Sequence, residues 1–263
     1  MAQGRVRSCI MFLAAALTLI PARVPEGQAA RGVSRPELVV AAAADLVFAL
    51  REIAPLFEKE HQVKVTLVFG STGQLAQQIQ HGAPMDVFFA ANETFVEDLR
   101  AKGTIQPDSV EPYAQGQIVL AAQKGRPGFS TLRDLTRDDV KRVAIANPEH
   151  APYGMAAREA LVSAGVWNQI QPKLVYGENI RQVLQFLQTG NVDAAILALS
   201  LAQVPEIQLT RIDPGLYQPI IQAAAVATRS QHPDLARAFI RFVNGPQGRP
   251  IMKRYGFLLP GES

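Results

Sequence analysis

Cysteine is nearly missing from this chain: of 263 residues only Cys9 is one. It lies ahead of an apolar run at 10–20, whereas a lipid-attachment cysteine would have to follow such a run, so it marks no lipid anchor. The run comes after Arg5 and Arg7, is too short to span a bilayer, and is broken by Pro21. A small-x-small site at Gly27-Gln28-Ala29 places cleavage after Ala29. Residues 1–29 are therefore expected to be an export signal, and the processed chain to contain no cysteine. That excludes disulfides and thiolate chemistry, even in an oxidising compartment outside the cytoplasm.

Excess charge is missing too. Arg5, Arg7, Arg23 and Glu26 leave with the signal, so the formal net charge falls from +3 to +1. A nearly neutral body argues against a nucleic-acid binder. No G-x-G-x-x-G opens a helix, and there is no Walker lysine-serine pair and no G-x-S-x-G elbow. The four histidines (His61, His81, His150, His232) stand alone, which excludes a transition-metal cation site and places each on the surface. A hydrolase built on Ser71 with His81 or His150 and Asp86 has no triad spacing to support it. No low-complexity linker divides the processed chain of about 234 residues, enough for two modest domains.

What is present is a regular alternation of short apolar runs with amphipathic ones. Its clearest stretch is 70–92, GSTGQLAQQIQHGAPMDVFFAAN. The apolar run ending at Phe69 stops at Gly70, a Gly-Ser-Thr-Gly turn leads straight into a helical pattern, and a buried strand follows at 86–90. Strand, turn, helix, turn, strand is a βαβ unit. Further strands are expected at 38–43, 142–146, 173–176, 194–199 and 208–212. Helices are expected at 46–60, 93–102, 131–135, 153–164, 179–189, 233–243 and 246–255.

The pattern implies an α/β fold with two open, largely parallel sheets, helices on both faces of each, and a ligand cleft between two lobes. Long extended runs at 113–123 and 219–228 look like crossovers between them. Lobe I is then expected to comprise 37–115 plus 226–263, and lobe II 116–225.

A small residue or a hydroxyl recurs where a strand hands over to a helix. The four places are Ala43-Ala44-Asp45, Gly70-Ser71-Thr72-Gly73, Ala151-Pro152-Tyr153-Gly154 and Gly177-Glu178-Asn179-Ile180. Taken singly, Asp45, Thr72 and Asn179 are expected to cap their helices. Taken together, two from each lobe, the turns form a cleft that grips an anion with helix N-termini and neutral donors. No Lys or Arg lies in any of them.

The runs AAADL (42–46), GSTGQLAQQI (70–79), GAPMDVFFAA (82–91), NPEHAPYG (147–154) and KRYGF (253–257) resemble the periplasmic molybdate-binding proteins of ABC importers, members of the type II periplasmic solute-binding proteins. The likeness covers essentially the whole processed chain. It implies two lobes that close on molybdate or tungstate and hand the oxyanion to a membrane permease. It also implies a monomer, with no catalytic residue and no cofactor. By position it puts the oxyanion contacts at Ala44, Asp45, Ser71, Thr72, Tyr153, Ile180 and Ala198. Thr72 and Tyr153 would offer hydroxyls, and Ile180 and Ala198 backbone N–H groups. Molybdenum is then held only through its oxo groups, by Thr72, Tyr153 and Ile180, with no direct metal bond.

Two departures from the family pattern stand out. Asp45 lies where some members have a serine or asparagine donor, and Ala198 where some have tyrosine. An ionised carboxylate repels a dianion, so Asp45 is expected to turn back and cap its helix, the alternative being that it takes a proton from the ligand. The remaining alternatives are a receptor for another oxyanion or a small organic acid, and an exported serine hydrolase.

Overall fold

The computed structural model describes residues 35–261; the expected export signal, 1–29, lies outside them. The chain starts with β1 (Glu37–Ala43), a 3-10 turn (Ala44–Leu46), α1 (Val47–His61), β2 (Lys64–Gly70), α2 (Thr72–Gln80), β3 (Val87–Ala90), α3 (Glu93–Ala101) and β4 (Glu111–Gly116). It crosses at Gln117 into β5 (Ile118–Gln123), β6 (Val143–Ala146), α4 (Pro152–Ser163), α5 (Trp167–Ile170), β7 (Leu174–Gly177), α6 (Ile180–Gln188), β8 (Ala194–Ala198), α7 (Leu199–Ala202) and β9 (Ile207–Arg211). It then returns through β10 (Ile220–Val226), α8 (Pro233–Val243) and α9 (Gly248–Arg254).

Two five-stranded sheets result, in the orders β2-β1-β3-β10-β4 and β7-β6-β8-β5-β9. The two lobes thus repeat one plan, a βαβαβ core extended by two strands. The sheets are mixed, not largely parallel. β1 runs parallel to β2 and β3, but β10 is antiparallel to β3 and β4, and β5 antiparallel to β8 and β9. The strands that enter and leave by a crossover cause the reversal, because they join their sheet without a crossover helix to turn them parallel.

The extended run at 113–123 is therefore two strands in two different sheets, broken at Gln117. β10 lies wholly in the first sheet, which moves the second crossover to before residue 220 rather than to 225–226.

Local sequence explains the layering. In β1 the side chains of Leu38, Val40 and Ala42 join α1, α8 and α9 on one face, while Ala41 joins α2 and α3 on the other. Both faces are covered, so the strand is apolar throughout instead of alternating. α1 buries Leu50, Ile53 and Phe57 and exposes Arg51 and Glu52. Phe57 meets Phe239 and Phe242 of α8 edge-on, at ring separations of 5.0 and 5.3 Å. Burying each such ring contributes about 1.5–3 kcal/mol, which ties α8 back onto the first lobe after the chain's excursion through the second.

Candidate functional site

The C-terminal ends of β1, β2, β6 and β7 each lead into the N-terminus of a helix or helical turn, directly or within one or two residues except after β6, where a five-residue loop, 147–151, intervenes. Those four ends meet between the lobes. They enclose a small cavity lined by Ala43, Ala44, Asp45, Ser71, Thr72 and Tyr153, together with Gly70, Ala91, Ala151, Pro152, Asn179 and Ile180. Its volume is about 10 Å³, room for about one water. No Lys or Arg is among the lining residues. The positive ends of the helix dipoles supply the attraction for negative charge.

Each helix start disposes of its first N–H groups differently. Ser71, not Thr72, is the cap of α2: its Oγ accepts from Gln74 N. The Gly73 N–H donates across the cleft to His150 O at 2.9 Å. Asn179 caps α6, its Oδ1 accepting from the N–H groups of Arg181 and Gln182. Thr72 and Ile180 occupy the first helical positions, where the N–H has no partner within the helix, and both residues line the cavity. Thr72 Oγ1 accepts from Ala91 N at 3.0 Å, so its own hydrogen is free to be donated.

Asp45 does not cap a helix. Ala43 occupies the capping position of its turn, and no side-chain cap bond forms there or at the start of α1. The carboxylate is instead drawn across the cleft. Its Oδ2 accepts from the Tyr153 hydroxyl and from Gln222 Nε2, both at 2.9 Å, and Gln222 Nε2 also lies 3.0 Å from the Tyr153 hydroxyl. Asp45 is 1 % exposed and Gln222 fully buried. Burial pushes the Asp45 pKa up to about 6, against Gln222, Tyr153 and the nearby backbone N–H groups of Asp45 and Leu46, which pull it down. Burial and the Asp45 charge push the Tyr153 hydroxyl well above its ordinary value, so it stays protonated and donates its one hydrogen to Asp45.

The cluster depends on Gly116 at the hinge, where a Cβ would overlap the Tyr153 hydroxyl and come within 2.9 Å of Gln222 Nε2. Further bonds cross the cleft. Ser200 Oγ donates to the Asp45 carbonyl at 2.9 Å, and Gln74 Nε2 to Glu178 Oε2 at 2.7 Å. Ser71 Oγ lies 2.8 Å from His150 Nδ1.

Of the seven positions singled out from the sequence, Ala44, Asp45, Ser71, Thr72, Tyr153 and Ile180 line the cavity. Ala198 does not. It ends β8, opposite Ile118 in the sheet, and is fully buried there. Gln222, Gly116 and Ser200 were missed. Gln222 carried a signal, as the one polar residue in the apolar strand IIQAAAV. Its partners lie 69 and 177 residues away, which no local pattern shows. His150, expected on the surface, is a contact across the cleft instead. Among the described residues no cluster of His, Cys, Asp and Glu could hold a metal ion.

Comparison with known proteins agrees with this architecture. The model of the bacterial extracellular solute-binding proteins matches residues 38–258. The chain is 36% identical over 228 residues to the molybdate-binding protein ModA of Azotobacter vinelandii, covering 84% of this chain and 89% of that one. It is 34% identical over 224 residues to ModA of Rhodobacter capsulatus, covering 84% and 88%. The solved structure of the Azotobacter vinelandii periplasmic molybdate-binding protein superposes with a TM-score of 0.80 at 29% identity, covering 85% of this chain and 99% of that one. The sulfate-binding protein SubI of Mycobacterium tuberculosis shares the fold, with a TM-score of 0.74 at 16% identity over 86% and 88% of the two chains. A family match over most of the chain, together with two lobes closing on one cavity, places this protein among the bacterial extracellular solute-binding proteins.

Proposed function

We infer that this protein is the periplasmic receptor of an ABC importer, capturing molybdate or tungstate between its lobes and delivering it to the membrane permease. The observation that carries this is the convergence of four helix or turn N-termini, two from each lobe, on one cavity without a basic side chain. Such a site meets a small, fully ionised anion with dipoles and neutral donors. The likeness to two ModA proteins at 34–36% identity supports molybdate as that anion.

Thr72 donates a hydroxyl, and Thr72 and Ile180 donate backbone N–H groups. Ser71 and Ala44 shape the wall. Tyr153 acts through Asp45, and Ala198 supports the floor from the sheet. The anion adds contacts from both lobes and so favours the closed arrangement, with hinge motion at Gln117 and at 212–219. Selectivity over sulfate comes from cavity size, since both ions are tetrahedral dianions. The receptor acts as a monomer, without a cofactor and without chemistry of its own.

Calorimetry on the processed protein with molybdate, tungstate, sulfate and phosphate tests this. Saturable binding of molybdate or tungstate, much weaker for sulfate and phosphate, is the expected result. Undetectable molybdate binding would remove the assignment. A serine-reactive probe tests the hydrolase alternative, and no labelling of Ser71 is expected, since it is buried and its Oγ is engaged by Gln74 N and His150.

A further inference from the structure

The anion cavity is lined by a carboxylate, and half of that carboxylate has no partner. Asp45 Oδ2 receives two hydrogen bonds, but Oδ1 is buried with none among the described residues, and neither has Gln222 Oε1 beside it in the same cluster. Two buried acceptors without a donor are costly, and a single proton would satisfy at least one of them. No basic side chain is among the groups that act on the charge. α4 presents Tyr153, β4 Tyr113 and β10 Gln222, and both phenols are held neutral by pKa values raised through burial. α7 presents Ser200, whose hydroxyl is spent on the Asp45 carbonyl. From α1 the charged Arg51 and Glu52, and from α6 Arg181, are exposed to solvent. A dianion brought into this cavity would lie against a negative charge that no basic side chain offsets.

We propose that Asp45 makes anion capture proton-linked: the closed, loaded site holds one proton between Asp45 Oδ1 and the bound oxyanion. This rests on the cavity being an anion site, as inferred above. In the binding step an ionised Asp45, one proton from solvent and the dianion become a protonated Asp45 beside the dianion. One O–H bond forms, and nothing is oxidised or reduced. The protonated Oδ1 then donates where the ionised one repelled, so Asp45 does the work of a neutral donor without losing its bonds to Tyr153 and Gln222. The raised pKa of Asp45, about 6, makes that proton readily acquired near neutrality.

The test is calorimetric titration of the whole processed protein with molybdate between pH 6.5 and 9, in pairs of buffers that differ in ionisation enthalpy. Expected are uptake of close to one proton per anion at pH 8 and an apparent Kd that rises about tenfold per pH unit in the upper part of the range. Asp45→Asn should bind with no proton uptake and a Kd flat in pH. Molybdate binding by the unaltered protein with neither proton uptake nor pH dependence would overturn the proposal and leave the anion site standing. Absence of molybdate binding at every pH would overturn both. The proton count on the unaltered protein decides even if the variant fails to fold.

Discussion

Replacing Asp45 by asparagine should stabilise the ligand-free protein at neutral pH, and the gain should vanish in acid. Burial raises the carboxyl's pKa from an ordinary 3.8 to about 6 in the folded chain. A raised acid pKa means that the folded state holds the proton more tightly than the unfolded one. The protonated group is therefore accommodated in full below about pH 3.8, and that advantage is lost as pH rises through about 6. Above that, the folded protein bears the whole cost of a buried charge, about 3 kcal/mol. Asparagine keeps an oxygen for Tyr153 and Gln222 and carries no charge. Asp45→Asn should then exceed the natural protein by about 3 kcal/mol at pH 8, worth roughly 6–12 °C in Tm for a chain of this size, and by only about 0.5 kcal/mol at pH 4. Urea denaturation of both proteins across that range measures the difference directly. A stability difference that is the same at pH 4 and pH 8, or a less stable variant at pH 8, would refute the assignment of Asp45 as a buried carboxylate that no basic side chain offsets.

Three other substitutions probe the cleft. Thr72→Ala deprives the anion of a donor and the Ala91 N–H of its acceptor, so calorimetry should show molybdate binding weakened by about 1–3 kcal/mol, with Thr72→Ser restoring most of it. Gly73→Ala places a Cβ 2.8 Å from the His150 carbonyl oxygen of the opposite lobe. Such overpacking penalises closure by about 1–3 kcal/mol, and small-angle scattering should show a molecule that stays open when molybdate is added. Tyr153→Phe removes one of the two donors to Asp45 and should raise its pKa further, read as an upward shift of the carboxyl titration by NMR. An unchanged titration there would mean that the hydroxyl does not hold the carboxylate.

Most of the fold was legible because most strands are short apolar runs, some of them ended by Gly as at Gly70 and Gly177, and the helices carry one apolar face. α8, with Ala236, Phe239, Ile240 and Val243 buried, was read to the residue for that reason. What escaped was set by distant partners. The run at 113–123 is interrupted only by Gln115-Gly116-Gln117, a break that marks an irregularity but does not show that the chain changes sheets there. The strand expected to reach 199 ends at Ala198, where α7 begins in a sequence as apolar as the strand itself. The short helix Trp167–Ile170 is a single turn without a periodic pattern to announce it.

In the cavity, the four strand-to-helix turns contain eleven of the twelve lining residues, all but Ala91, and six of the seven positions taken from the family likeness are among them. Asp45 shows the limit of such reasoning. Its capping preference is a property of the residue type, but its conformation is decided by a tyrosine and a glutamine 108 and 177 residues along the chain. Two hydrogen bonds in a buried setting outweigh one cap at a helix start.

The central claim is that one anion is gripped by both lobes at once. The most direct measurement is diffraction from crystals of the processed protein grown with tungstate, whose heavy atom gives an unmistakable anomalous peak. The expected result is a single peak between Asp45, Thr72, Tyr153 and Ile180, with oxygens within hydrogen-bond reach of Thr72 from the first lobe and Ile180 from the second. A peak elsewhere on the molecule, or an ion touching only one lobe, would contradict it.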